Sequence, residues 1–378
     1  MIPDTLSAMP RRFSRRSALA SAAAATSALP LASAQAPPAP RPKWPIEEGP
    51  NTPKLCLDLG AANHNEKGAR RLLQLGVKHC LTGGPAMPWT EADLRSRIGN
   101  LKQHGITLYN LMIGGFPNAI YGRPGRDQEI EKLHQSIRAA GRAGLPVIEY
   151  NFYAHRLVEG YYEQTGRGGS GLTAYDYERS KNLPPLPDIG VHTLDQLWKN
   201  AEYFLKAVIP VAQEAGVKMA LHPNDPPVPL SRGSGQIMGT VAGWKRYVAI
   251  VDSPANGITF DCGVATEMGE DAVEVCRYFA SRQRINHVHF RNVIVRKPYI
   301  DYTEMAPDEG ICDMVGVMNE LVRHKYTGTI YPEHPRALDA DREAGGPKPY
   351  YPGGGGYTAF AYNVGYTRAL LQNALRNR

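Results

Sequence analysis

The sequence predicts an α/β fold, a closed (β/α)8 barrel (TIM barrel) with long loops after strands 4 and 8. Three observations predict it. Eight short apolar runs alternate with longer amphipathic stretches, and continuous apolar runs are typical of parallel strands buried on both faces. The chain has 378 residues, which accommodates one barrel of roughly 250 residues with insertions. A doubly wound open sheet is the alternative, but eight strand–helix repeats favour closure.

The predicted strands and helices follow each other in a regular order. Helix starts are indicated by Thr90 with Asp93 and by Thr193 with Gln196, which resemble capping boxes, and Gly105 marks a helix end. Two connections are too long for simple turns and follow strand ends, where barrel enzymes build their sites and lids. These two connections span residues 153–189 and 335–356. The eight predicted strands span residues 55–59, 77–81, 106–113, 146–152, 217–222, 258–261, 285–290 and 329–332.

The N-terminal segment predicts an exported protein. Arg15 and Arg16 precede a weakly apolar run that ends in small residues, which is typical of a twin-arginine (Tat) signal peptide. We therefore expect a signal at 1–36, a proline-rich linker at 37–53 and one catalytic barrel domain at 54–378. The expected location is periplasmic or secreted. A tail in which the arginines occur by chance is the alternative.

Composition restricts the classes of partner. The formal net charge is +7, without a basic run interleaved with aromatic residues, so we expect no nucleic acid. A mild positive field favours anionic small molecules such as sugar acids. No segment beyond the leader is apolar enough for a membrane span, and assembly into a homo-oligomer stays open. Five cysteines without close pairs do not predict a disulfide framework.

Four consecutive predicted strands end in residues that bind metals. These residues are His222, Asp261, His289 and Glu333. One histidine at a strand end is usually structural, but a barrel brings all four ends to one mouth, where crowded carboxylates and imidazoles require a cation. Two imidazoles with two carboxylates suit a divalent ion, with Mn²⁺ favoured and Co²⁺, Mg²⁺ or Zn²⁺ as alternatives. Cys262 is a minority alternative to Asp261, because neighbouring strand residues point to opposite faces.

Several segments resemble the mannonate dehydratase family, within the xylose-isomerase-like barrels. The resemblance covers most of residues 54–375. The segments that carry it are Gly-Arg-Asp at 125–127, Tyr-Asn-Phe at 150–152, His-Pro-Asn-Asp-Pro-Pro at 222–227, His-Phe-Arg-Asn at 289–292, Gly-Ile-Cys-Asp-Met at 310–314 and Gly-Tyr at 365–366. The segment 168–176 resembles the loop that covers the substrate in that family.

The resemblance also implies a ligand set with two departures. The family's His, Cys, His and Asp fall on the four predicted ligands, so Asp261 replaces a cysteine and Glu333 replaces an aspartate. This altered set is closer to that of sugar isomerases and epimerases in the same superfamily. Gln236 stands where the family has an arginine, and the family's tyrosine near the last helix falls on Thr358, with Tyr357 one residue away.

The implied activity is that of a hydro-lyase, which dehydrates a D-mannonate-like sugar acid to a 2-keto-3-deoxy acid. His334 matches a family histidine assigned to acid–base work, and Tyr357 is the second catalytic candidate. Arg291 is expected to hold the substrate carboxylate, unless it forms a structural ion pair. Hydroxyl-binding candidates, which equally suit loop capping, are Asn151, Asn224 and Asn292. One alternative is an exported metal-dependent sugar isomerase or epimerase, or a keto-sugar-processing enzyme, of that superfamily. Another is a barrel that binds a sugar without catalysis.

Overall fold

Eight parallel strands form a closed barrel in the computed structural model, which describes residues 44–345 and 351–378. Around the barrel the strands follow the order β1, β8, β7, β6, β5, β4, β3, β2, and β1 pairs with β8 to close it. Each predicted run overlaps one strand, so the predicted TIM barrel is confirmed. The strands are β1 (Lys54–Asp58), β2 (His79–Gly83), β3 (Thr107–Ile113), β4 (Val147–Tyr150), β5 (Lys218–Leu221), β6 (Asn256–Asp261), β7 (Ile285–His289) and β8 (Thr329–Tyr331).

A helix follows each strand and packs on the outside of the barrel. Short helices at Pro117–Tyr121, Cys262–Glu267 and Asp339–Glu343 lie in the connections after β3, β6 and β8. The main helices are α1 (Glu66–Gln74), α2 (Glu91–Gln103), α3 (Arg126–Ala143), α4 (Leu194–Glu214), α5 (Val241–Ile250), α6 (Ala272–Ala280), α7 (Met314–Arg323) and α8 (Tyr357–Arg376).

The predicted helix boundaries have a physical basis in the structure. The Thr90 hydroxyl caps α2 by accepting from the Asp93 amide at 3.1 Å. Thr193 and Gln196 form a reciprocal capping box at the start of α4. After α2 the chain turns at Gly105 with a φ of 79°, a conformation that favours glycine because it has no Cβ.

The barrel strands are buried on both faces, and the barrel interior includes a buried polar group. Ile148, Met219 and Phe260 are fully buried on the strands, as expected for a sheet covered on both faces. Glu149 on β4 and His287 on β7 are also fully buried. Such groups are tolerated only with compensating partners, so this part of the interior serves more than packing.

A second, antiparallel sheet lies in the connections that follow the barrel strands. It contains Asn292–Lys297, Asp301–Met305, Gly171–Asp176 and Tyr161–Thr165 in that order, and we call it the loop sheet. Tyr302 is opposite Tyr175 in the register, and their rings stack at 5.3 Å. The excursion after β4 was predicted, whereas the hairpin after β7 was not. The predicted covering segment 168–176 supplies one strand, and a bridge from Gly171 to Ala337 attaches the connection after β8.

The domain limits differ from the prediction at one end. A compact unit runs from Lys43 to Arg378. The Ile46 amide donates to Gln372 at 2.8 Å, and the Gln372 amide donates back to the Ile46 carbonyl, so part of the predicted linker 37–53 is attached to α8. The predicted signal at 1–36 lies outside the described residues.

Candidate metal centre

The four predicted metal ligands converge at the mouth of the barrel. One donor atom from each of His222, Asp261, His289 and Glu333 lies within 4.8 Å of the others, and all four residues are at least largely buried. The His222 Nε2 and His289 Nδ1 atoms are 3.0 Å apart, and His289 Nδ1 is 3.1 Å from Glu333 Oε2. The barrel explains this convergence, since β5 to β8 are neighbours and end at the same edge.

The two histidines each direct one ring nitrogen to the centre. His222 Nδ1 lies 2.7 Å from the Pro223 carbonyl, which can only accept, so Nδ1 carries the proton and the Nε2 lone pair faces the other ligands. Burial and the neighbouring His289 lower the pKa of His222 to about 3, which keeps this ring neutral. A neutral imidazole held by a carbonyl on its other nitrogen is a typical metal ligand.

Asp261, and not Cys262, faces the centre. Its Oδ2 is 4.0 Å from His222 Nε2, while Oδ1 accepts from the Val264 amide at the start of the short helix that follows β6. The Cys262 thiol points away and lies 3.3 Å from the Arg291 carbonyl. Burial raises the pKa of this thiol well above its usual value, so it is not a thiolate. The geometry therefore favours the predicted aspartate.

The charge balance of the site fits a divalent cation. Nitrogens of Arg291 lie within 2.5–3.9 Å of five carboxylates. Two further guanidinium groups, Arg156 and Arg336, each pair with one of them. With neutral imidazoles, five negative and three positive charges leave an excess of two negative charges, which a divalent cation would offset. Without a cation, burial lowers the pKa of His289, but Glu333 and Glu149 outweigh it and raise this pKa to about 9, so a proton on the ring offsets part of the excess. Accordingly, burial raises the pKa of Asp261 to about 6, although Arg291 opposes the shift.

His334 lies beside the ligand cluster. Its Nε2 is 3.4 Å from Glu333 Oε2, and its Nδ1 is 3.0 Å from Glu304 Oε2. Burial lowers the pKa of His334, but Glu304 and Glu333 outweigh it and raise the pKa above its usual value. The backbone φ of 47° is unusual for a non-glycine residue, which indicates that the fold imposes this position. The predicted catalytic histidine therefore lies next to the predicted metal ligands.

Arg291 differs from its predicted role. It is 3 % exposed, with Nη1 2.5 Å from Glu267 and Nε 3.1 Å from Asp261. The guanidinium therefore holds protein carboxylates, including a metal ligand, and is not presented to a substrate carboxylate. The structural ion pair considered as the alternative is what the structure contains.

Two of the three predicted hydroxyl-binding asparagines hold loops together. The Asn224 side-chain oxygen accepts from the Met238 amide at 2.8 Å. Asn292 accepts from the amides of Val293 and Cys312 and donates to backbone carbonyls, so its hydrogen-bonding groups are used within the protein. The structure therefore favours the alternative of loop capping for these two residues, since capping and ligand binding use the same amide chemistry.

Asn151 is the predicted substrate residue that lines an open cavity. The cavity has a volume of about 430 Å³ and is bordered by residues at the ends of β2, β3 and β4, among them Gly83, Ile113 and Tyr153. It lies at the carboxyl ends of the strands, on the same side of the barrel as the ligand cluster. This prediction stays open and is compatible with the geometry.

Tyr357 is not directed to the cluster. It begins α8, its side chain is among the exposed large apolar groups at 40 %, and its hydroxyl donates to the Arg71 carbonyl on α1 at 2.9 Å. The structure therefore does not support a catalytic role for it. The direction of a side chain at a helix start depends on tertiary contacts that the sequence does not reveal.

Sequence reasoning missed four buried carboxylates at the site, one of which is Glu267, the partner of Arg291 described above. Glu149 lies under His289, and Asp225 accepts from Tyr161 at 2.7 Å and from Arg156. Glu304 reaches His334 from the loop sheet. A charged residue inside the apolar run of β4 was an available signal for Glu149. Glu304 gave none, because the strand that carries it was not predicted.

The carboxylates also form two further groups with ligand geometry. These are Glu149 with His287 and His289, and Asp225 with Glu304 and His334. Arginines already compensate the second group.

Among the described residues, none of the helices combines the length and apolar composition needed to cross a membrane.

Comparisons with known proteins identify relatives of this chain. Residues 190–377 match the family model described as D-mannonate dehydratase (UxuA). A mannonate dehydratase of Streptococcus pneumoniae is 34% identical over 58% of this chain and 67% of its own length. A mannonate dehydratase of Enterococcus faecalis is 30% identical over 67% of this chain and 80% of its own length.

Solved structures agree with the sequence comparisons. The crystal structure of mannonate dehydratase from Streptococcus suis serotype 2 matches with a TM-score of 0.76 and 26% identity, over 86% of this chain and 95% of that chain. A xylose isomerase domain protein from Planctomyces limnophilus matches with a TM-score of 0.53 and 13% identity, over 86% of this chain and 99% of that chain, which shows the fold alone. The resemblance inferred from the motifs is confirmed.

The predicted location is wrong. The mannonate dehydratases that the chain matches are cytoplasmic metabolic enzymes, which contradicts export to the periplasm. The prediction depended on Arg15 and Arg16, which lie outside the described residues. A short pattern of this kind also occurs by chance, and that was the alternative to a signal.

Proposed function

The chain belongs to the mannonate dehydratase family, and from this premise we propose that it is a metal-dependent hydro-lyase acting on a D-mannonate-like sugar acid. The observation that carries the proposal is the convergence of His222, Asp261, His289 and Glu333 with His334 beside them. In the reaction, the C2–H and C3–O bonds break, water leaves, and the resulting enol becomes a 2-keto-3-deoxy acid.

The four ligands define what the centre supplies. A divalent cation held by them would act as a Lewis acid towards a substrate oxygen and offset the negative charge that develops as the C2 proton leaves. We assign Mn²⁺ as the favoured ion on the donor set of two imidazole nitrogens and two carboxylate oxygens. Asp261 is oriented by the Val264 amide and Arg291, so this ligand is held before substrate arrives.

His334 is the group that we assign to proton transfer. Glu304 lies 3.0 Å from Nδ1, which keeps the proton on that nitrogen and leaves Nε2 to exchange a proton with substrate. Arg336 donates to Glu304 Oε2 at 2.7 Å and to the His334 carbonyl, and so fixes both partners. A general acid–base group requires this kind of fixed geometry.

One experiment tests the reaction class. Full-length protein is stripped of metal, reloaded with Mn²⁺ and incubated with D-mannonate, and the 2-keto-3-deoxy acid is measured by the thiobarbiturate assay. We expect product only in the reloaded sample. D-Gluconate, which differs from D-mannonate in configuration at C2, provides the matched control, and we expect slower turnover with it.

The same assay separates the alternative functions. The donor set with Asp261 and Glu333, in place of the Cys and Asp implied by the family pattern, favours a sugar isomerase or epimerase as second candidate. Turnover of a neutral sugar or a 3-keto sugar, with no product from any sugar acid, would overturn the dehydratase proposal. Unchanged binding of sugar acids by the metal-stripped protein, without turnover, would instead indicate a binding barrel.

A further inference from the structure

His289 has two ring nitrogens in two different buried environments. Nδ1 faces Glu333 and His222 at 3.1 and 3.0 Å. Nε2 points into the barrel interior, where it lies 3.3 Å from Glu149 Oε1. The two atoms are close but do not form an aligned hydrogen bond, and within the described part of the chain Nε2 has no hydrogen-bond partner. The ring therefore connects the ligand cluster with a carboxylate below it.

Glu149 is held rigidly by groups on other strands. It is fully buried on β4. Its Oε1 accepts from the Thr259 hydroxyl on β6 at 3.0 Å, and its Oε2 accepts from the Asn110 amide on β3 at 2.8 Å. Both donors are also fully or almost fully buried. A carboxylate with two fixed donors and no access to solvent is costly to keep in a barrel core, unless a positive partner compensates it.

We propose that Glu149 is a positioning residue of the metal centre, which holds His289 with its proton on Nε2 and its Nδ1 lone pair towards the other three ligands. The inference rests on the metal site of the proposed function. A carboxylate behind a metal-bound imidazole fixes the tautomer and orientation of the ring and strengthens it as a ligand. Glu149 is not among the four converging donors, so in this proposal it acts through His289.

The neighbouring histidine shows why Glu149 serves His289 in particular. His287 Nδ1 is 2.9 Å from the Thr329 hydroxyl, and its Nε2 is 4.0 Å from Glu149 Oε2, too far for direct contact. His289 is the nearer partner of the two.

The test measures metal affinity in the absence of substrate. Metal-stripped full-length protein and its Glu149→Gln variant are titrated with MnCl₂ by isothermal calorimetry. We expect the dissociation constant to rise about 10- to 100-fold in the variant. Dehydration that is lost at limiting Mn²⁺ should return at saturating Mn²⁺, since the ligands themselves remain. Glu320→Gln is the matched control, because Glu320 is a buried, ion-paired carboxylate on α7, and we expect unchanged affinity there.

Two outcomes would overturn the inference. One is equal Mn²⁺ affinity in the Glu149→Gln and Glu320→Gln variants, and the other is loss of activity that saturating Mn²⁺ does not restore. If the Glu149→Gln variant does not fold, Thr259→Val is used in its place, because it removes one hydrogen-bond donor to Glu149. We expect this variant to bind Mn²⁺ a few-fold more weakly. An unchanged Mn²⁺ affinity would overturn the inference. A parent chain that binds Mn²⁺ without dehydrating sugar acids would overturn the proposed function alone, because the affinity comparison needs no turnover.

Discussion

The strand ends of the barrel and the loop sheet both supply the candidate site, but they do so differently. His222, Asp261, His289 and Glu333 come from four adjacent strands, and the barrel alone brings them together. Glu304 comes from a hairpin that reaches back over the mouth and contacts His334. The difference suggests a division of labour in which the barrel fixes the metal ligands and the loop sheet places the proton-transfer group.

The largest expected effect comes from removing a ligand supplied by the barrel. Asp261→Ala should abolish Mn²⁺ binding and lower kcat/KM by about 10³-fold or more, because the developing charge loses its compensating cation. Calorimetry with MnCl₂ and the thiobarbiturate assay measure the two effects. Cys262→Ser is the control, since this thiol points away from the centre, and it should retain both properties. Loss of binding in Cys262→Ser with retention in Asp261→Ala would reverse the ligand assignment.

A smaller effect is expected when the proton-transfer group is changed and the ligands are kept. His334→Gln should lower kcat by about 10²- to 10⁴-fold, the usual contribution of a general acid–base group. Mn²⁺ affinity should change little, because His334 lies outside the four converging donors. Steady-state kinetics at saturating Mn²⁺ give the result. A His334→Gln variant with normal kcat would remove the proton-transfer role from this residue.

The loop sheet is tested by the carboxylate that holds His334. Glu304→Gln should lower kcat by up to about 10²-fold through misplacement of the imidazole, while KM and Mn²⁺ affinity change less. Asp301→Asn is the control on the same strand, where a half-buried carboxylate pairs with Arg296, and we expect wild-type kinetics. If both variants behave alike, the loop sheet contributes stability and not positioning.

The smallest effect is expected at Tyr357, which the sequence predicted to be catalytic but which is directed away from the ligand cluster in the structure. Tyr357→Phe removes a hydroxyl that donates to the Arg71 carbonyl. It should change kcat less than about 2-fold and the free energy of unfolding by about 1 kcal/mol, the usual value of one hydrogen bond. Kinetics and urea unfolding give both numbers. A loss of kcat comparable to that of His334→Gln would restore the original catalytic assignment.

Sequence reasoning succeeded where a residue's position follows from the strand that carries it. The ends of buried parallel strands meet at one edge, so a ligand such as Asp261 could be placed without knowledge of any other contact. For Asn224 and Asn292 the sequence left substrate binding and loop capping as alternatives, because the same side-chain amide can bind a substrate or the backbone. Glu304 was missed because its position depends on pairing with Val293 and on a sheet built from distant parts of the chain.

The arrangement of the ligands also has a consequence for local opening of the barrel. All four lie at or just beyond the carboxyl ends of β5 to β8, four strands that are consecutive in the barrel, and none lies at the ends of β1 to β3. A bound ion therefore connects four strands that form three adjacent hydrogen-bonded pairs. It stabilises only those conformations in which all three pairs are intact. Backbone amides of β5 to β8 should exchange with solvent more slowly in the loaded protein, whereas those of β1 to β3 keep nearly the same rates.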